Sequence, residues 1–152
     1  MTSTTLSPTT IASTSPVRAI ARFAPATARC LLGGMFFVFW LNGFLNFIPP
    51  PTEPMPAGAV SFSIALMNSG YMFQFIKGTE VLAGLLLLCN RFVPLALVIL
   101  APIVLNILAF HLWLLPSGTG LSFAILALQL YLAWAHRRAI APLLTVRSAP
   151  VR

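Results

Sequence analysis

With 152 residues, 59% of them hydrophobic and only 7% charged, the chain is not composed like a water-soluble domain. A net charge of +7 invites a nucleic-acid reading. That reading is excluded because the basic residues stand just outside long apolar runs, where topology determinants and anionic-lipid contacts belong.

Residues 2–15 are mostly Ser and Thr, a composition too polar to build a core, and are expected to be disordered. Arg18, Arg22 and Arg29 follow with no acidic residue among them. The segment is Ser-rich and acid-free like a mitochondrial presequence, but a cytoplasmic tail over residues 1–28 fits better. The first span is expected over residues 30–48. Asn42 and Asn46 form a polar stripe at i and i+4 on its second half. The proline-rich connector PPPTEPMPAG, which holds Glu53, has too few N–H donors to be helical and reads as extended. Residues 59–69 are too short to cross a bilayer. Val60, Ile64 and Met67 fall at helical spacing there, so a short interfacial or re-entrant helix is expected.

The second span is expected over residues 71–89. Nineteen residues rising ~1.5 Å each cover about 28 Å, close to the hydrocarbon thickness. Pro94 suits the first turn of a third span, residues 93–115, and Pro102 within it frees a backbone carbonyl. A Pro-Ser-Gly-Thr-Gly loop leads to a fourth span at residues 121–139, and a basic tail closes the chain at 143–152. Residues 29–142 therefore read as one membrane domain, an all-α membrane protein built as an antiparallel four-transmembrane-helix bundle. Lys and Arg occur in both terminal segments and, as Arg91, in the loop after the second span, whereas the other two loops have none. Both termini are expected to be cytoplasmic, in a bacterial inner (plasma) membrane.

Glu80 is the middle residue of the second span. An ionised group there costs roughly 2.5–3.5 kcal/mol on insertion scales, so it must pair, face water or take up a proton. Lys77, at i−3, shares its face and can pair with it. Gly84 continues that face and admits a close neighbour. Counting depth along alternating spans places Asn42, Glu80, Asn106 and Gln129 near one level, with Lys77 and His111 nearer the outer surface. Together these six residues are the candidate ligand-binding or proton-exchanging set. Asn and Gln within spans also serve simply as helix-to-helix hydrogen bonds, worth ~0.6 kcal/mol on average. No catalytic motif and no metal-ligand set is present, and Cys30 and Cys89 do not form a C-x-x-C pair. An enzyme acting on its own is not expected.

Several stretches are then familiar: N-G-x-x-N-F-I-P-P-P, S-G-Y-x(5)-K-x-x-E-x-x-x-G-L-L-L-L, R-F-V-P-L-A-L, and P-x-x-x-N-x-x-x-F-H. Over about Leu31 to Pro142 the chain resembles the DoxX-like family of small four-span membrane proteins. Lys77, Glu80, Gly84, Asn106 and His111 match that family's recurrent polar pattern. The resemblance implies a four-helix membrane bundle. Relatives are named for a subunit of an archaeal thiosulfate:quinone oxidoreductase, others are associated with oxidoreductase complexes and oxidative-stress responses, and animal relatives act as receptor-assembly chaperones. The expectation is therefore a partner subunit of a membrane redox or stress-response assembly, with a polar pocket for a quinone-like or lipid ligand. A membrane-protein assembly factor is the alternative, and a small-solute or proton transporter stands behind both. Other membrane proteins, the bilayer and a second copy of the chain are the expected partners.

Overall fold

The computed structural model describes residues 16–45, 47–49 and 54–144, and every regular element among them is helical. The order is α1 (Pro16–Leu45), α2 (Ala57–Asn68), α3 (Met72–Leu88), α4 (Val93–Trp113), a 3-10 turn (Pro116–Gly118), α5 (Thr119–Ala135), α6 (Arg137–Ile140) and a closing 3-10 turn (Ala141–Leu144). Phe23–Gly43, Val93–Trp113 and Pro116–Ala135 are long and apolar enough to cross a membrane. The pair α2 and α3 reaches that length only together, and it is bent by 90° at its junction. Large apolar side chains such as Phe75, Leu82, Leu105, Phe123 and Leu130 stand exposed on several helices. In water this would be costly; in lipid it is the ordinary state.

The first helix begins at Pro16, well before the expected first span, so residues 16–28 belong to α1 rather than to a disordered tail. Pro suits the opening helical position, and the following stretch is rich in alanine. The helix continues through Pro25, which removes one backbone donor and crowds the carbonyl four residues earlier. At the end of that stretch Ala28 is buried, and next to it the Arg29 guanidinium donates to the Leu87 carbonyl at 2.7 Å. Residues 1–15, Asn46, Glu53 and the basic stretch 145–152 lie outside the described residues.

The junction of α2 and α3 falls where Ser-Gly-Tyr interrupts the apolar run. Ser69 closes one helix and opens the next: its hydroxyl donates to the Leu66 carbonyl at 2.7 Å and accepts from the Met72 N–H at 3.1 Å. Gly70 follows at φ +79, a left-handed conformation that glycine adopts without steric cost. At its other end α3 stops at Leu88 through a pair of bonds that turn the chain back. Asn90 N–H reaches Leu87 O at 3.2 Å and Arg91 N–H reaches Leu86 O at 2.9 Å, with Asn90 at φ 55. This is a Schellman-type end, with asparagine in the left-handed position that glycine usually takes. The expected span 71–89 is thus a 17-residue helix, about 26 Å long.

α1 packs on α3 and α5, and α4 packs on the same two helices, closing a ring around Leu32, Leu87, Leu100 and Leu132. α1 and α3 cross closely. A Cβ built on Gly33 would stand 3.0 Å from the Gly84 carbonyl oxygen, and one on Gly84 3.1 Å from that of Gly33. Each glycine therefore makes room for the other helix's backbone. α2 lies outside the ring, with Ala59 buried and the Phe62 ring 5.5 Å from that of Phe110.

Substituting Val for Gly33 or Gly84 should push α1 off α3 and destabilise the fold by about 1–3 kcal/mol. Gly34→Val, where nothing stands within 4 Å of the added Cβ, should be neutral. Thermal unfolding of the three variants in detergent checks this.

Candidate functional site

Glu80 is the acidic residue of α3 and is 4% exposed. Lys77, one turn earlier on the same face, donates from Nζ to Glu80 Oε2 at 2.7 Å. The geometry follows from the spacing: residues i and i+3 stand side by side on a helix. Gly84, one turn beyond Glu80, lets α1 come close enough for Phe36 to help shield the carboxylate.

Two cavities meet at this pair. The inner one, about 250 Å³, lies among α1, α3, α4 and α5; besides Lys77 and Glu80 its wall includes Phe36, Phe39, His111 and Ser122. The outer one, about 380 Å³, lies under α2 between α3 and α4, with Phe62, Leu66, Asn106 and Phe110 in its wall. Lys77, Glu80, Ile107 and His111 line both. These four side chains are a partition between the two spaces, and its polar members are an ammonium, a carboxylate and an imidazole.

His111 is held from behind by the turn that follows α4. Its Nδ1 lies 3.0 Å from the Leu115 carbonyl oxygen, and its own carbonyl accepts from Thr119 Oγ1 at 3.2 Å. A carbonyl can only accept, so in the neutral ring Nδ1 carries the hydrogen and Nε2 is the acceptor. Gly118 lies directly against the ring: a Cβ added there would overlap its Cε1 and Nδ1 atoms.

The six residues singled out from the sequence do not all meet. Lys77, Glu80 and His111 line both cavities, and Asn106 lines the outer one. Asn42 does not line either; its Oδ1 accepts from the Ile48 N–H at 2.7 Å and caps the end of α1. Gln129 is buried deeper in the bundle, where Nε2 donates to the Leu97 carbonyl at 3.1 Å, and its Oε1 has no partner. Leu97 lies one residue before Val98, whose carbonyl loses its helical donor to Pro102. Depth counting misleads for both: Gln129 lies at the level of Leu97 rather than of Asn106, and the Asn42 amide turns to the backbone at Ile48. The α5 residue that reaches the inner cavity is Ser122, three positions after Thr119, to whose carbonyl its hydroxyl donates at 2.8 Å. The α2 wall was also missed: Phe62, Ser63 and Leu66 share a face, at spacings a helical wheel would have shown.

Cys30 and Cys89 are free and exposed. Among the described residues no group of three or more His, Cys, Asp or Glu could hold a metal ion. Comparison of the chain with protein-family models, with curated proteins and with solved structures returned no match.

Removing one partner of the pair should cost far more than removing both. Lys77→Met leaves the Glu80 carboxylate alone and should destabilise the protein by roughly 2.5–3.5 kcal/mol. The double variant Lys77→Met/Glu80→Gln should recover most of that loss, because no bare charge remains. A double-mutant cycle on thermal unfolding measures the difference. Gly118→Ala should displace the His111 ring and lower stability by about 1–3 kcal/mol through overpacking alone, which the same assay reads.

Proposed function

We propose that this chain is a multi-pass membrane protein in which an antiparallel four-helix bundle surrounds a polar site for a quinone-like or lipid ligand, and that it serves as a partner subunit of a membrane redox or stress-response assembly. The observation that carries the reading is the partition itself. A paired ammonium and carboxylate and an anchored imidazole sit at the meeting point of two mainly apolar cavities. Ligand sites are commonly ~300–1,000 Å³, mostly apolar, with a few convergent polar groups. The two spaces, about 250 and 380 Å³, together reach that range. In this reading Lys77 and Glu80 exchange protons with the ligand, and His111 holds it by a hydrogen bond. The DoxX-like resemblance supplies the redox context.

Contacts at successive depths support the antiparallel order. Arg29 meets Leu87 and Gly33 meets Gly84, so α1 residue numbers rise as those of α3 fall. Gln129 meets Leu97 and Thr119 meets His111, which gives the same opposition for α5 and α4. This order brings Arg29 and Arg91 to the end of the bundle that carries Arg137 and Arg138, the pattern expected of a cytoplasmic side. Arg137 lies 4.7 Å from the centroid of the Trp134 ring, a pairing suited to the membrane surface. α2 fits a helix lying in the opposite interface.

A second reading, an assembly factor for client membrane helices, rests on the outer face of α1. There Cys30 and Gly34 lie one turn apart in a shallow groove, the small-residue spacing that lets helices approach.

Quinones and lipids extracted from the protein purified in mild detergent distinguish the two. Near-stoichiometric prenylated quinone per wild-type chain is expected. Glu80→Gln should retain at least about tenfold less, since a hydrogen bond to a charged group contributes roughly 1.5–3 kcal/mol. Absence of any quinone or other single lipid species from the wild type would sink the ligand reading and leave the assembly factor.

A further inference from the structure

The walls of the inner cavity hold more acceptors than donors. Glu80 Oε2 is taken by Lys77, but no described residue donates to Oε1. Ser122 gives its hydroxyl hydrogen to the Thr119 carbonyl, which leaves its oxygen as an acceptor. His111, with Nδ1 turned to Leu115, leaves Nε2. Three residues with acceptor capacity therefore line the same cavity as one ammonium, and the rest of the wall is apolar. Acceptors left without donors in apolar surroundings cost more than an ordinary hydrogen bond returns. The complementary ligand is one that donates. A carbonyl oxygen can engage only Lys77, whereas a hydroxyl can donate to an acceptor and still accept from the ammonium.

The outer cavity has a different character. Phe62 and Leu66 of α2, Phe73 and Ile76 of α3, and Ile103 of α4 give it apolar walls suited to a flexible chain. Its cover is lightly attached: Ala59 is the buried residue of α2, and the helix joins α3 through Gly70. Space for a head on one side and a tail on the other is thus divided by the Ile107 and His111 side chains.

We infer that the site selects an amphiphile with a hydroxyl-bearing aromatic head, of hydroquinone type, whose head occupies the inner cavity and whose apolar tail leaves past Ile107 beneath α2. This rests on the reading that the cavities hold a quinone-like or lipid ligand, and it adds the redox form and the tail path. The reduced head is held and the oxidised one released.

The full chain in phosphatidylcholine nanodiscs, kept anaerobic, is titrated calorimetrically with four probes: decyl hydroquinone, decyl benzoquinone, the O,O-dimethyl ether of the first, and hydroquinone without a tail. Affinities are expressed per mole fraction in the lipid. The hydroquinone should bind at least about tenfold more tightly than the quinone or the ether, which lack the O–H donors. Ser63→Trp and Leu66→Trp, each filling the outer cavity, should weaken decyl hydroquinone by about tenfold while tail-less hydroquinone is unchanged. Ile64→Trp, on the exposed face of α2, should alter neither. Equal affinity for hydroquinone, quinone and ether overturns the hydroxyl selection and leaves the ligand reading standing. Tryptophan substitutions that spare the tailed probe, or weaken both probes alike, overturn the tail path. Failure of all four probes to bind overturns this inference and the reading beneath it together.

Discussion

A carboxylate in the middle of an apolar helix sets the terms for everything around it. Glu80 is buried in α3, and its side chain is too short to snorkel. Lys77 answers the charge at 2.7 Å, but an ion pair facing hydrocarbon would still be poorly solvated. The remaining shielding comes from other helices. α1 can supply it because Gly33 and Gly84 remove the side chains that would hold the two backbones apart. α4 supplies Ile107 and His111, and α5 supplies Ser122 and Ile125. The ring of four helices is thus arranged about a charge pair at one level and about leucines at another.

The helices and the breaks between them were largely written in the apolar runs. Ser69-Gly70 ends α2 and turns the chain through 90°, and Pro94 falls in the first turn of α4. Lys77–Glu80 was legible because helical spacing alone makes them neighbours, and Gly84 because a small residue on that face has one obvious use. The start of α1 was not legible. An alanine-rich stretch next to a Ser/Thr tail runs on into the apolar helix, which has Ala28 buried and the Arg29 guanidinium on the Leu87 carbonyl. Gln129 was misplaced for a related reason. It lies about 15 Å along α5 from Thr119, whereas Asn106 lies about 10 Å from the end of α4, so the two do not share a level. Side-chain direction decides the rest, and Asn42 spends its oxygen on the backbone at Ile48. Asn106 and His111, five positions apart, both border the outer cavity because that cavity wraps around α4 beneath α2.

His111 shows how a loop can serve a site without entering it. The Pro116–Gly118 turn places the Leu115 carbonyl under Nδ1 and a glycine under the ring, while Thr119 ties the helix end through its hydroxyl. A side chain at a helix terminus would ordinarily sample several rotamers. Here one ring nitrogen is committed and the ring packs against Gly118, so the other nitrogen is held in a fixed position.

None of this is what stability alone would favour. Replacing a buried ion pair by apolar residues of similar volume is often neutral or stabilising. Filling a cavity restores dispersion contacts that its lining has lost. Glycine in a turn without a positive φ gives up the entropic advantage of any larger residue. The bundle departs from all three preferences within one region, at Lys77–Glu80, at the two cavities and at Gly118, while its other half is packed with leucine in the ordinary way. Local rules broken together in one place mark a functional site more often than a random distribution of imperfections. The same reasoning separates Gln129 from the site. Its unpartnered oxygen is a single imperfection, next to a helix already lacking one hydrogen bond at Pro102, and the hydrogen bond its amide donates to the Leu97 carbonyl is explanation enough for its presence.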